Sequence, residues 1–114
     1  MSSESITTEL EDETLRATYT RLSVLFDAAQ TLLEMADADL ESSEWMKPMR
    51  LNLSKHNHKD LISDDDWRRR TLDTVKYFDK EVTQSLWFHD PFEPTFRLIL
   101  SDMRESFEHP LVSR

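Results

Sequence analysis

Between Leu15 and Leu40 the apolar positions are Leu15, Tyr19, Leu22, Phe26, Ala29, Leu33, Ala36 and Leu40, stepping alternately by four and three. That is heptad spacing, and it gathers the whole set on one side of an α-helix. Leu25 and Leu32 widen the stripe, and Val24 and Met35 add to its flank. It is broader than the seam of a two-stranded coiled coil and suits a helix packed against two neighbours. Upstream, Thr8-Glu9-Leu10-Glu11 has the form of a capping box, and Glu9, Glu11, Asp12 and Glu13 favour the positive end of a helix dipole. The pattern predicts a long helix over 9–41, preceded by a frayed tail, 1–8.

The stretch "ESSEWMKPM", 41–49, breaks the period, and Pro48 biases Lys47 away from helical backbone. Met49, Leu51 and Leu53 then alternate with Arg50, Asn52 and Ser54. A period of two leaves three choices open for this segment: a short strand, an irregular connector or a helical one. Asn57, Lys59 and Asp60 read as loop, with Leu61 and Ile62 docking beside the next helix.

That helix begins at "SDDDWRRRT", 63–71. Ser63 is a good N-cap, Asp64, Asp65 and Asp66 suit the first turn, and Asp66 completes a serine–x–x–acid box. Trp67, Thr71, Val75, Phe78, Val82 and Leu86 continue at helical steps to about Phe88. Arg68, Arg69 and Arg70 fall on the other faces, within reach of the aspartates three or four residues back. "FHDPFEP", 88–94, makes a turn. Phe92, Phe96, Ile99, Leu100, Met103 and Phe107 then mark a last helix, which Pro110 stops. The expectation is an all-α domain over 9–109, a three-helix bundle with a long N-terminal helix completed by self-association, with a short tail at 110–114.

Composition sharpens this. The 114 residues contain no glycine, against a usual share of about 7%. Tight hairpins and phosphate-cradling loops depend on glycine, so all-β, P-loop and dinucleotide-binding folds are disfavoured. There is no cysteine, which removes disulfides and thiolate metal sites. No apolar run is long enough to span a membrane, and the N-terminus lacks the features of a targeting peptide. The expected location is the cytoplasm.

The net charge of −9 is unevenly placed. Residues 1–46 hold eleven acids against Arg16 and Arg21, whereas 47–70 hold seven basic residues against four aspartates. The basic patch expected there consists of Lys47, Arg50, Lys55, Lys59, Arg68, Arg69 and Arg70. Such asymmetry speaks to partners rather than to fold.

Candidate chemistry is sparse. His56 and His58 would share one face of a strand, as some metal-binding pairs do, but loop histidines on the surface are the simpler account. His89-Asp90 are adjacent, and adjacent side chains seldom face each other. No carboxylate stands in an apolar setting that would tune it for catalysis. Trp45, in the polar "SSEWMK", is the best candidate for an exposed binding anchor. Leu15, Tyr19, Leu22, Phe26, Leu33, Leu40 and Trp45 are therefore the candidate oligomer or partner interface, with intramolecular core as the competing use of the stripe.

The leading functional expectation is a non-catalytic protein–protein interaction module: an adaptor, regulator or small subunit. It has no cofactor or metal, takes a protein partner that is itself basic, and forms a homodimer. One alternative is an acidic inhibitor that imitates nucleic acid, which requires carboxylates at regular intervals along an exposed edge. Another is nucleic-acid binding through 47–70, which the overall negative charge disfavours.

Overall fold

The computed structural model describes residues 2–35, 40–84 and 92–112, with side chains described over 9–35, 46–80 and 93–112. They form five helices: α1 Ser2–Met35, α2 Leu40–Ser54, α3 Asp60–Ser63, α4 Asp65–Gln84 and α5 Phe92–Glu108. No strand occurs among the described residues. The all-α bundle with a long first helix is thus what the chain folds into, with a fourth substantial helix, α2, in the segment that the alternating pattern left open.

Three boundaries differ from the expectation, each for a local reason. Helix α1 starts at Ser2, so Thr8 lies inside it and the Thr8–Glu11 box is not a cap. No proline or glycine in 2–8 stands in the way. Helix α2 runs through "ESSEWMKPM", with Pro48 in its interior. A proline there removes one backbone hydrogen bond. The offset comes from Met46, Met49 and Leu53, which are all buried and lie at positions i, i+3 and i+7 of one helix face. Leu51, which created the appearance of alternation, is exposed. Finally, the cap of α4 is Asp64 rather than Ser63. The Asp64 carboxylate accepts the Trp67 backbone N–H at 3.1 Å, while the Ser63 hydroxyl donates to the Lys59 carbonyl at 3.0 Å. Ala36, the helix end expected at Phe88, and the turn over 88–91 lie outside the described residues.

Helix α1 packs against α2 and α5, α5 also packs against α4, and the single turn of α3 leans on α4. Contacts run Tyr19 to Leu53 and Asp27 to Arg50, so α2 is antiparallel to α1. Trp67 meets Phe107 and Phe78 meets Phe96, so α5 is antiparallel to α4. The molecule measures 56 × 23 × 19 Å, and its long axis matches a 34-residue helix at about 1.5 Å per residue.

The core is continuous. Leu15, Leu22, Phe26 and Leu33 of α1, Met46 and Leu53 of α2, and Phe96, Leu100, Met103 and Phe107 of α5 belong to one buried cluster. Phe107 is its hub, with edge-on rings from Phe26 at 6.3 Å and Trp67 at 6.0 Å. Edge-to-face geometry at these distances adds to the burial that aromatic rings provide.

A chain without glycine must finish its helices without the left-handed glycine that commonly does so. Here other helices supply the donors. The Tyr19 hydroxyl of α1 donates to the carbonyls of Leu53 and His56, the latter at 2.9 Å, at the end of α2. Arg68 of α4 donates to the Phe107 carbonyl at the end of α5, at 2.9 Å. Thr18 of α1 donates to the Pro110 carbonyl at 2.8 Å, in a buried setting. Helix ends leave carbonyls without intrahelical partners, and these three donor side chains reach carbonyls at or just beyond the helix ends while fixing how the helices sit.

Candidate interaction surfaces

The sequence-predicted interface residues fall mostly inside the chain. Leu15, Leu22, Phe26 and Leu33 are buried against the chain's own helices. Tyr19 is half-buried with its hydroxyl engaged on α2. The stripe is therefore occupied as intramolecular core, and these side chains are not presented to a second molecule. The side chains of Leu40 and Trp45 lie outside the described residues, although both residues belong to α2.

The basic segment does not form one patch either. Arg50 pairs with Asp27 and donates to the Gln30 side chain at 3.3 Å. Arg68 pairs with Asp65, Arg69 with Asp65 at 2.9 Å, and Arg70 with Asp66 at 3.0 Å. The opening of α4 is thus a self-neutralised helix start, as its spacing predicts. Arg68 also holds the Asp65 carboxyl below its ordinary range, chiefly by hydrogen bonding to the charged form. Lys47, Lys55 and Lys59 are exposed and make no ion pair among the described residues. They are distributed over α2 and the turn that follows it.

His56 and His58 lie on a turn, not a strand, and serve different helices. The His56 ring stacks on Trp67 with centroids 4.0 Å apart and planes 10° from parallel. Its Nδ1 lies 2.7 Å from the Asn52 carbonyl oxygen, and its Nε2 lies 3.6 Å from Asp64. His58 instead reaches α1, with Nε2 2.6 Å from the Asp12 carboxylate. Asp12 also receives Arg16 at 2.9 Å. The Arg16 hydrogen bond first, and His58 second, lower the Asp12 pKa. Burial, with the nearby Asp60 charge adding to it, raises the Tyr19 pKa, which keeps the phenol in its donating form. Among the described residues no group of three or more His, Cys, Asp or Glu side chains is placed to hold a metal ion. His89 lies outside the described residues. Trp67, Thr71 and Thr74 of α4 face Met49 and Asn52 of α2 across an open groove of about 300 Å³.

The acids of α1 are not an evenly spaced row. Asp12 and Asp27 are committed to ion pairs, and Gln30 donates to Glu34 at 3.4 Å. Glu9, Glu11 and Glu13 remain exposed within little more than a turn. Among the described residues of α1 the carboxylates do not form a periodic exposed edge.

One surface was not anticipated. On the side of α1 away from the core, Leu10, Ala17, Val24 and Thr31 recur every seven residues and are all exposed. Met35 extends the row, and Leu10, Val24 and Met35 are 58%, 61% and 64% exposed. Val24 is five residues from the buried Ala29, which at about 100° per residue turns it some 140° away from the core face. The sequence held this signal as a second seven-residue repeat, hidden because Val24 and Met35 look like the flank of the first. Leu98, 72% exposed, shares a face of α5 with Asp102, which ties to Arg21 of α1 at 3.0 Å. No helix among the described residues is long and apolar enough to cross a membrane.

Neither the family models, nor the curated proteins, nor the solved structures compared with this chain contain a match to it.

Proposed function

We propose that the protein is a non-catalytic interaction module, an adaptor, regulator or small subunit, that docks a partner protein on the outer face of α1. The observation that carries this reading is the uncharged row Ala17, Thr20, Val24, Thr31 and Met35, exposed on a chain that is 32% charged. Exposed apolar side chains scattered singly are ordinary, but a row along one helix face is a surface for another helix or a groove. The core stripe needs no second copy to cover it, so the reading does not depend on a homodimer. The compartment proposed is the cytoplasm, where a cysteine-free chain loses nothing to the reducing conditions.

The test is photo-crosslinking in extract from a benzophenone side chain placed at position 24, with position 69 on α4 as control. A discrete adduct from 24 and none from 69 is the expected result. Absence of an adduct from 24, or the same products from both positions, contradicts it.

A further inference from the structure

The charges around the outer face of α1 specify what covers it. Along its middle, the flanking charges are already neutralised within the chain. Arg21 is bound to Asp102 and Asp27 to Arg50. At its beginning the situation reverses. Glu9 and Glu13 are one turn apart, on either side of Leu10, exposed, and without an ion pair among the described residues. Like charges at i and i+4 repel on a helix, and a cation laid across them would relieve that repulsion. The face thus reads as an apolar strip whose beginning carries a close pair of unneutralised acids, while the one acid at its far end, Glu34, accepts from the Gln30 side chain at 3.4 Å.

A second copy of the chain fits this pattern poorly. In a parallel pair Glu9 and Glu13 would meet their own counterparts. In an antiparallel pair centred on Val24, Glu13 would fall opposite position 35, beside Glu34. Each copy also carries a net charge of −9.

We infer that the outer face of α1, from Leu10 to Met35, binds a basic amphipathic helix of a partner protein. The partner's apolar residues cover Val24 and its neighbours, and its cationic residues lie over Glu9 and Glu13. The strip is about 38 Å long at 1.5 Å per residue, so the partner segment is a helix of several turns rather than a short loop. This rests on the reading of α1 as a docking helix and adds the chemistry of what docks.

The test uses a synthetic helix of about 20 residues, with leucines at i, i+3, i+4 and i+7 spacing and lysines at one end, labelled for fluorescence anisotropy. Its twin carries glutamates in place of the lysines. The full chain binds the basic peptide and not the twin, and added salt weakens the complex. Glu9→Gln with Glu13→Gln weakens it about tenfold, the scale of two exposed ion pairs. Val24→Asp weakens it by about a hundredfold or more, because the new charge would be buried unpaired. Both variants alter exposed positions, and circular dichroism melts confirm that each is folded.

Equal binding of the acidic twin, failure of both peptides, or unchanged affinity of the Glu9/Glu13 double variant overturns the inference. So does self-association of the chain that Val24→Asp abolishes, since the occupant is then a second copy. That last result leaves α1 as the docking helix, whereas silence of the position-24 crosslinker removes both claims.

Discussion

His58 and Asp12 are 46 residues apart in the chain, and their side chains meet at 2.6 Å. This pair fastens the turn after α2 to the first third of α1, one turn ahead of Leu15, the first buried residue of its stripe. The Asp12 carboxyl is held below its ordinary pKa range, by Arg16 first and His58 second. A carboxylate whose folded pKa is depressed contributes stability above its unfolded pKa, and that contribution disappears as pH falls through the folded value. The chain should therefore lose stability as pH drops below about 4. Asp12→Asn should flatten that acid limb in urea titrations, and an unchanged limb would show that Asp12 is not its source.

Tyr19 tests the idea that helix ends here are finished by other helices. Tyr19→Phe leaves the ring in place but removes the donor to Leu53 and His56. The expected cost is about 1–2 kcal/mol, from the His56 carbonyl losing its Tyr19 donor, while the Leu53 carbonyl keeps the His56 N–H at 3.1 Å. Denaturant unfolding measures it. A loss much below that range would mean that water satisfies the His56 carbonyl equally well.

The start of α4 offers a paired comparison. Asp64→Ala should cost about 1 kcal/mol as the loss of an N-cap. Ser63→Ala should cost about 0.5 kcal/mol or less, as an exposed position away from the cap. The reverse ranking in thermal melts would return the cap to Ser63.

Ser106 is fully buried on α5, and among the described residues its hydroxyl has no hydrogen-bond partner. An unsatisfied buried polar group carries a desolvation cost of about 1–3 kcal/mol. Ser106→Ala should therefore raise the melting temperature, and a fall would show that the hydroxyl makes a bond worth keeping.

Much of this architecture was legible from spacing. The heptad run from Leu15 to Leu33, the aspartate-then-arginine start of α4, and the Phe96–Leu100–Met103–Phe107 row of α5 all read correctly, because each face has one dominant period. What misled was local chemistry overridden by packing. Thr8-Glu9-Leu10-Glu11 has the letters of a cap, yet a helix already in progress does not need one there. Pro48 looked like a boundary, but Met46, Met49 and Leu53 gain enough burial on α1 to hold a helix through it. The long-range ties, Tyr19 to Leu53, Arg68 to Phe107 and His58 to Asp12, have no sequence period at all. They exist only once the helices are side by side. The outer row of α1 lay in plain view and was absorbed into the first stripe, because a wide apolar flank and a second face have the same letters until the neighbours are in place.

The account turns on one claim: α1 spends its inner stripe on its own chain and keeps its outer face for a different protein. Light scattering of the purified chain across concentration and salt tests this directly. The prediction is a monomer of 13.6 kDa throughout, with Val24→Asp indistinguishable from the parent. A stable dimer would contradict it, whether or not Val24→Asp dissolved it.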